Sequence, residues 1–193
     1  FYTDICSSAG WLRVLPVVPS ILLPAGLRRL AGRKVRDIPR HRITSFTRFG
    51  LEYQRRRAAA QSASAMTAVH LWAGERFCRL ILQQHPDRRA DIYCFNSAGL
   101  ELLLDWRRWG GRGVVEQTIA PRRVEERWLS EEEAAFPGWE APRVRDAPVD
   151  AYIDREEAEW QEADLNAGIE CTLNVVWNEL KYKAEVVRAY DPS

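Results

Sequence analysis

Lysine is nearly missing from this chain. Lys34, Lys181 and Lys183 are the only three among 193 residues, so arginine supplies 25 of the 28 basic side chains. Against them stand 27 acidic residues, for a formal charge of +1. A chain so balanced has no general attraction for a polyanion, which argues against nucleic acid as a partner. Cysteine is also scarce: residues 6, 78, 94 and 171 show no C-x-x-C spacing and are too few for a disulfide scaffold. A reducing compartment fits, and neither zinc nor another metal is expected. Long apolar runs are absent. Val14–Leu27 carries no charge, but its fourteen residues contain Pro16, Pro19 and Pro24, too short and too broken to span a bilayer. Asp4 stands where a secretory signal would carry basic residues. Nor is there a G-x-G-x-x-G, a Walker loop, a G-x-S-x-G or an H-E-x-x-H. Of three histidines, His41 and His85 fall at loop edges and His70 lies beside a helical core stripe, so none reads as a catalytic base.

What is present suffices for a folded domain. Hydrophobic residues make up 46% and charged residues 28%, enough for a buried core in one domain of ordinary size. Composition shifts near the end: Asn166, Asn174 and Asn178 follow a stretch in which Asn96 is the only asparagine. Residues 1–165 therefore read as one domain and 166–193 as a divergent tail of unassigned role.

The pattern alternates between strand and helix. Phe1–Ile5 reads as the end of a strand that began earlier, and Arg42–Thr47 as a short second one. A long helix is expected from about Leu51 to Gln84, with Val69, Trp72, Ala73, Phe77, Leu80 and Ile81 as its core stripe. Asp91–Phe95 follows as a strand whose unbroken apolar run suggests burial on both faces. Ser97 reads as the cap of a helix ending at Gly110-Gly111. Gly113–Ile119 is another strand, a helix begins at Pro121 and runs to about Ala135, and Val149–Leu165 is helical again. Strands and helices alternating on short loops predict an α/β fold, a Rossmann-like doubly wound parallel sheet.

In such sheets ligands bind beyond the carboxyl ends of the strands. Those ends are Thr3 and Asp4, Ser45 and Thr47, Asn96 and Ser97, and Glu116, Gln117 and Thr118, the last group mattering most. Three consecutive polar residues closing an apolar strand are costly in a core unless they line a cleft. Asn96-Ser97 at a helix start also offers backbone N–H groups to an anion. The alternative for Ser97 is a plain helix cap, and for Glu116 and Gln117 a structural role. Glu125-Glu126, Glu131–Glu133 and Glu156-Glu157 alternate with Arg122, Arg123, Arg127 and Arg155 and read as solvated faces with weak ion pairs. The apolar segment at 14–27 is flanked by Trp11 and Arg13 on one side and Arg28, Arg29, Arg33 and Lys34 on the other. Two readings stand for it: a Pro-kinked helix with a solvated arginine rim, or a face lying on an anionic membrane surface.

Four segments carry a resemblance. TDICSSAGWLR, YCFNSAGLELL, VVEQTIAPRRVEERWLSEEEAAFPGWE and REEAEWQEADL together resemble the N-terminal half of bacterial glycosyltransferases of family four, retaining enzymes of GT-B architecture. The resemblance runs from Phe1 to about Leu165 and is most specific over Val114–Glu140. It implies an incomplete N-terminal domain that holds a sugar or lipid-linked acceptor, with a missing C-terminal domain as the partner that binds the nucleotide-sugar. No cofactor is implied, since the nucleotide-sugar is a substrate. A cytoplasmic place, at the inner face of the plasma membrane, would suit cell-surface glycan synthesis. The Gly-rich opening strand and the E-G-F-G-like glutamate segment of such enzymes are not found, and Glu116-Gln117-Thr118 stands where many relatives carry a histidine. No catalytic residue is assigned, and the chain alone is expected to be inactive. A non-catalytic α/β binding or interaction module, or a truncated fragment, is the alternative.

Overall fold

A computed structural model describes residues 1–7, 32, 33, 35, 38–139 and 146–168. Two compact units divide the chain, Phe1–Gln61 and Ser62–Ser193. In the first, β1 (Tyr2–Thr3) pairs in parallel with β2 (Thr44–Ser45), and α1 spans Thr47–Ala59. The helix comes close to the segment after β1: a Cβ added at Gly50 would lie 2.2 Å from Ile5 Cγ1, so the site accepts only glycine without a shift. Tyr2 and Phe46 stack at 6.2 Å.

The second unit runs α2 (Ala63–Leu82), β3 (Ile92–Phe95), α3 (Leu100–Arg108), β4 (Gly113–Gln117), α4 (Arg122–Ala135), α5 (Ala147–Glu162) and β5 (Leu165–Gly168). Its three strands pair in the order β3-β4-β5, all parallel, with Cys94 opposite Val115 and Val115 opposite Asn166. The chain is thus α/β with parallel sheets and broadly Rossmann-like. Among the described residues the strands form two sheets rather than one.

Two further expectations are corrected. The helix expected over 51–84 is broken at Ala60–Ser62, because Ser62 turns extended and its side chain accepts the N–H of Ala65 at 3.1 Å, starting a new helix. The strand β3 is not buried on both faces. Cys94 is buried, whereas Tyr93 is 58% and Phe95 53% exposed. The reason is topological: α3 and α5 pack on each other, as they do when successive right-handed crossovers in a sheet of sequential order put their helices on one side. The core of that side is Cys94, Leu103, Val115 and Trp160, with Ile92 and Ala163 packed against them. On α2 the buried face centres on Ala73, Gly74, Cys78 and Ile81, and the other residues of the expected stripe flank it.

The last strand spans the point at which the composition changes: Leu165–Gly168 joins the sheet next to β4, and Asn166 Nδ2 donates to the carbonyl of Trp160 at 3.1 Å. Trp11, Arg13, Arg28, Arg29 and Lys34 lie outside the described residues. Arg33 is exposed and pairs with Asp4 at 3.2 Å. Among the described residues no helix is long and apolar enough to cross a membrane.

Candidate functional site

At the carboxyl ends of β3 and β4 the chain turns into α3 and α4, so the first N–H groups of both helices gather there without partners of their own. That arrangement attracts an anion. In this protein the anions are its own side chains. Glu159 on α5 accepts from the backbone N–H of Ser97, and from those of Gly99 and Leu100 at 2.9 and 3.0 Å. One turn earlier, Glu156 accepts from the N–H of Arg122 at 2.8 Å.

The strand-end amides complete the cluster. Asn96 Nδ2 and Gln117 Nε2 both donate to Glu156 Oε1, at 3.2 and 3.1 Å. Asn96 Oδ1 accepts from the N–H and hydroxyl of Thr118 at 3.3 and 3.1 Å, and Gln117 Oε1 from Trp160 Nε1 at 3.1 Å. Gln117 and Glu156 are 1% exposed and Glu159 0%, so every lost bond here would leave a buried polar group unsatisfied. Arg155 adds a second tie: Nε donates to the carbonyl of Ser97 at 3.0 Å, and its two terminal nitrogens donate to the Glu101 carboxylate at 2.8 and 2.7 Å.

Ser97 is thereby gripped by α5 through both its N–H and its C=O. It sits at φ +62°, a left-handed conformation that a side-chain-bearing residue keeps only when its surroundings over-determine it. The turn also lies against α2, where a Cβ on Gly74 would fall 2.2 Å from the carbonyl oxygen of Ser97.

Burial dominates the electrostatics. It raises the Glu159 carboxyl to about 7, against three backbone N–H donors and Arg155, which pull the other way. It likewise raises Glu156, opposed by the Arg122 N–H, Gln117 and Asn96. For Glu101 burial also pushes upward, but its bonds and charge contact with Arg155 outweigh it and lower the carboxyl. The thiols of Cys78 and Cys94 are raised by burial, that of Cys94 to about 12. Among the described residues no group of three His, Cys, Asp or Glu side chains could hold a metal.

Of the residues expected to line a cleft, the structure brings Asn96, Ser97, Gln117 and Thr118 together. Asn96 and Gln117 are buried and bonded to α5; Ser97, Glu116 and Thr118 keep partial exposure. Glu116 lies on the open side of the sheet, where it accepts a bond from the Tyr93 hydroxyl. Ser97 does not cap α3 with its side chain; Gly99 occupies that position and Glu159 does the capping. Thr3 and Asp4 belong to the first unit, where the Thr3 hydroxyl donates to Asp4 at 3.3 Å.

The reading of Arg155 and Glu156 as solvated residues is overturned, since both are buried, and Glu159 went unnoticed in the sequence. A signal was there. Val149, Ile153, Glu156 and Trp160 follow helical spacing, which places Glu156 on the apolar stripe of α5 and not on its outer face. No family model, curated protein or solved structure matches the chain.

Proposed function

We propose that this chain is the acceptor-side, N-terminal part of a retaining GT-B glycosyltransferase. The complete enzyme would move a sugar from a nucleotide-sugar to a cell-surface glycan or lipid-linked acceptor at the cytoplasmic face of the membrane. This part alone would be inactive. The reading rests on the four resembling segments. The observation that supports it is the in-register parallel pairing of β3 with β4, which sets two of those segments side by side with their carboxyl ends adjacent, where open sheets take ligands. Asn96 and Gln117 are framework residues in this reading, because they are used up inside the protein. Contact with an acceptor falls to Ser97, Thr118 and the exposed Ile119 beside them.

The test is a two-dimensional amide NMR titration with a polyprenyl-phosphate-linked disaccharide in detergent and, separately, with UDP-glucose. Shifts at Ser97, Thr118 and Ile119 with the lipid-linked sugar, and none with the nucleotide-sugar, are expected. Silence at those amides with the lipid-linked sugar would defeat the proposal. A second reading, a non-catalytic α/β binding module, is favoured by one observation: Glu156 and Glu159 already sit at both helix starts at these strand ends and take up N–H donors that could otherwise stabilise developing charge. It expects silence with both sugars.

A further inference from the structure

At the opposite end of the strands the second unit carries a cleft of about 660 Å³ between the 87–91 turn and the loop joining α3 to β4. Trp109 ends α3 there and is 69% exposed. The guanidinium of Arg88 lies 5.6 Å from the centre of its ring. A flat ring has two faces; Arg88 occupies one, and the exposure leaves the other to solvent.

The surroundings are built and held. Arg88 is fixed by an ion pair with the half-buried Asp105. Trp106 Nε1 donates to the carbonyl of Ala90 at 2.8 Å, tying the turn to α3. Gly111 permits the close approach: a Cβ there would be 2.8 Å from the carbonyl oxygen of Arg88 and 2.7 Å from Trp106 Cδ1. Gly110, at φ +72° with open space around it, turns the chain away and leaves the indole uncovered. Beside it, Arg112 grips Asp91 through two bonds of 3.1 and 2.7 Å, and both remain largely exposed, at 74% and 54%.

The charge inventory decides between ligand classes. The cleft is lined by Asp87 and Asp91 and by Arg88, Arg89 and Arg112, but Arg88 is already paired with Asp105 behind it and Arg112 with Asp91, so an anion meets little net attraction. An indole edged by planar donors and acceptors suits a ligand that is apolar on its faces and rich in hydroxyls around its rim. A pyranose with all substituents equatorial has that form: axial C–H bonds above and below, hydroxyls in the plane. We propose that the Trp109 cleft is a saccharide-binding subsite that stacks such a β-gluco-configured ring on the open indole face, with its hydroxyls bonded to Asp91 and Arg112.

The inference does not rest on the transfer reading, since it concerns the other end of the strands and different amides. The test titrates the full chain with cellotetraose and follows the indole N–H and the Gly110 and Gly111 amides by NMR. The Trp109 signal is assigned by its disappearance in Trp109→Phe. Saturable shifts with a Kd of about 1 mM are expected, weakened at least about tenfold in Trp109→Ala and unchanged in Trp139→Ala, which removes another exposed indole. Trp109 is exposed, so its truncation leaves the fold intact, and matching amide spectra check this. The proposal is overturned if cellotetraose shifts nothing at about 10 mM, if Trp109→Ala binds as well as the parent, or if inorganic phosphate displaces the sugar from the same amides.

Discussion

Replacing Glu159 by glutamine keeps the side-chain volume and removes the charge from the point where α5 holds the start of α3. In the folded protein burial raises this carboxyl from 4.5 to about 7. The folded state therefore keeps a proton that the unfolded chain releases, and stability falls as pH rises through that interval. At about 1.4 kcal/mol for each pH unit, Glu159 contributes a loss of about 3 kcal/mol between pH 4.5 and 7, with little further change above. The glutamine variant has no such titration, so its slope over this range should be shallower than that of the parent. Glu156, whose raised carboxyl acts in the same direction, contributes to the slope that remains.

A second effect opposes the first. Oε2 of Glu159 accepts from the Ser97 N–H, and an amide nitrogen in that place cannot. One buried donor left without a partner costs about 1–3 kcal/mol. The variant should thus be less stable than the parent at pH 5 and should close or reverse the gap at pH 8. Urea unfolding followed by circular dichroism at pH 5, 6, 7 and 8 reads both effects. A parent protein more stable at pH 8 than at pH 5, with that gain lost in Glu159→Gln, would show that the three N–H donors and Arg155 outweigh burial. Identical slopes would show that Glu159 does not titrate in this interval at all.

Two smaller tests address the same turn and the core beneath it. Gly74→Ala should lower stability by about 3 kcal/mol, toward the upper end for overpacked sites, because its methyl group would meet the backbone carbonyl of Ser97 at 2.2 Å; an unchanged urea midpoint would refute that approach. Cys78 and Cys94 are buried with thiols raised by that burial, so in the native protein at pH 8 iodoacetamide should label both only as fast as the unit opens. Peptide mapping that finds Cys94 alkylated as rapidly as in urea would refute it.

Local signals in the chain were enough for several of the elements, though not for the break at Ala60–Ser62 or for β5. Pro121 marked the start of α4, Gly110-Gly111 the end of α3, and the apolar run at 92–95 the strand β3, since each acts through neighbouring backbone. The parallel pairing also followed from alternation of strand and helix. Tertiary structure decided two things that no local rule contains. Which face of β3 is covered depends on both crossover helices lying on one side, so Tyr93 and Phe95 are left open although their sequence reads as doubly buried. What the polar strand ends do depends on α5, some forty to sixty residues away. Asn96 and Gln117 read as lining a cleft; in the fold both are buried, and buried amides cannot go without partners. The identity of their partners on α5, Glu156 and Trp160, was set by how one helix lies across two helix starts, a matter of packing and not of sequence distance.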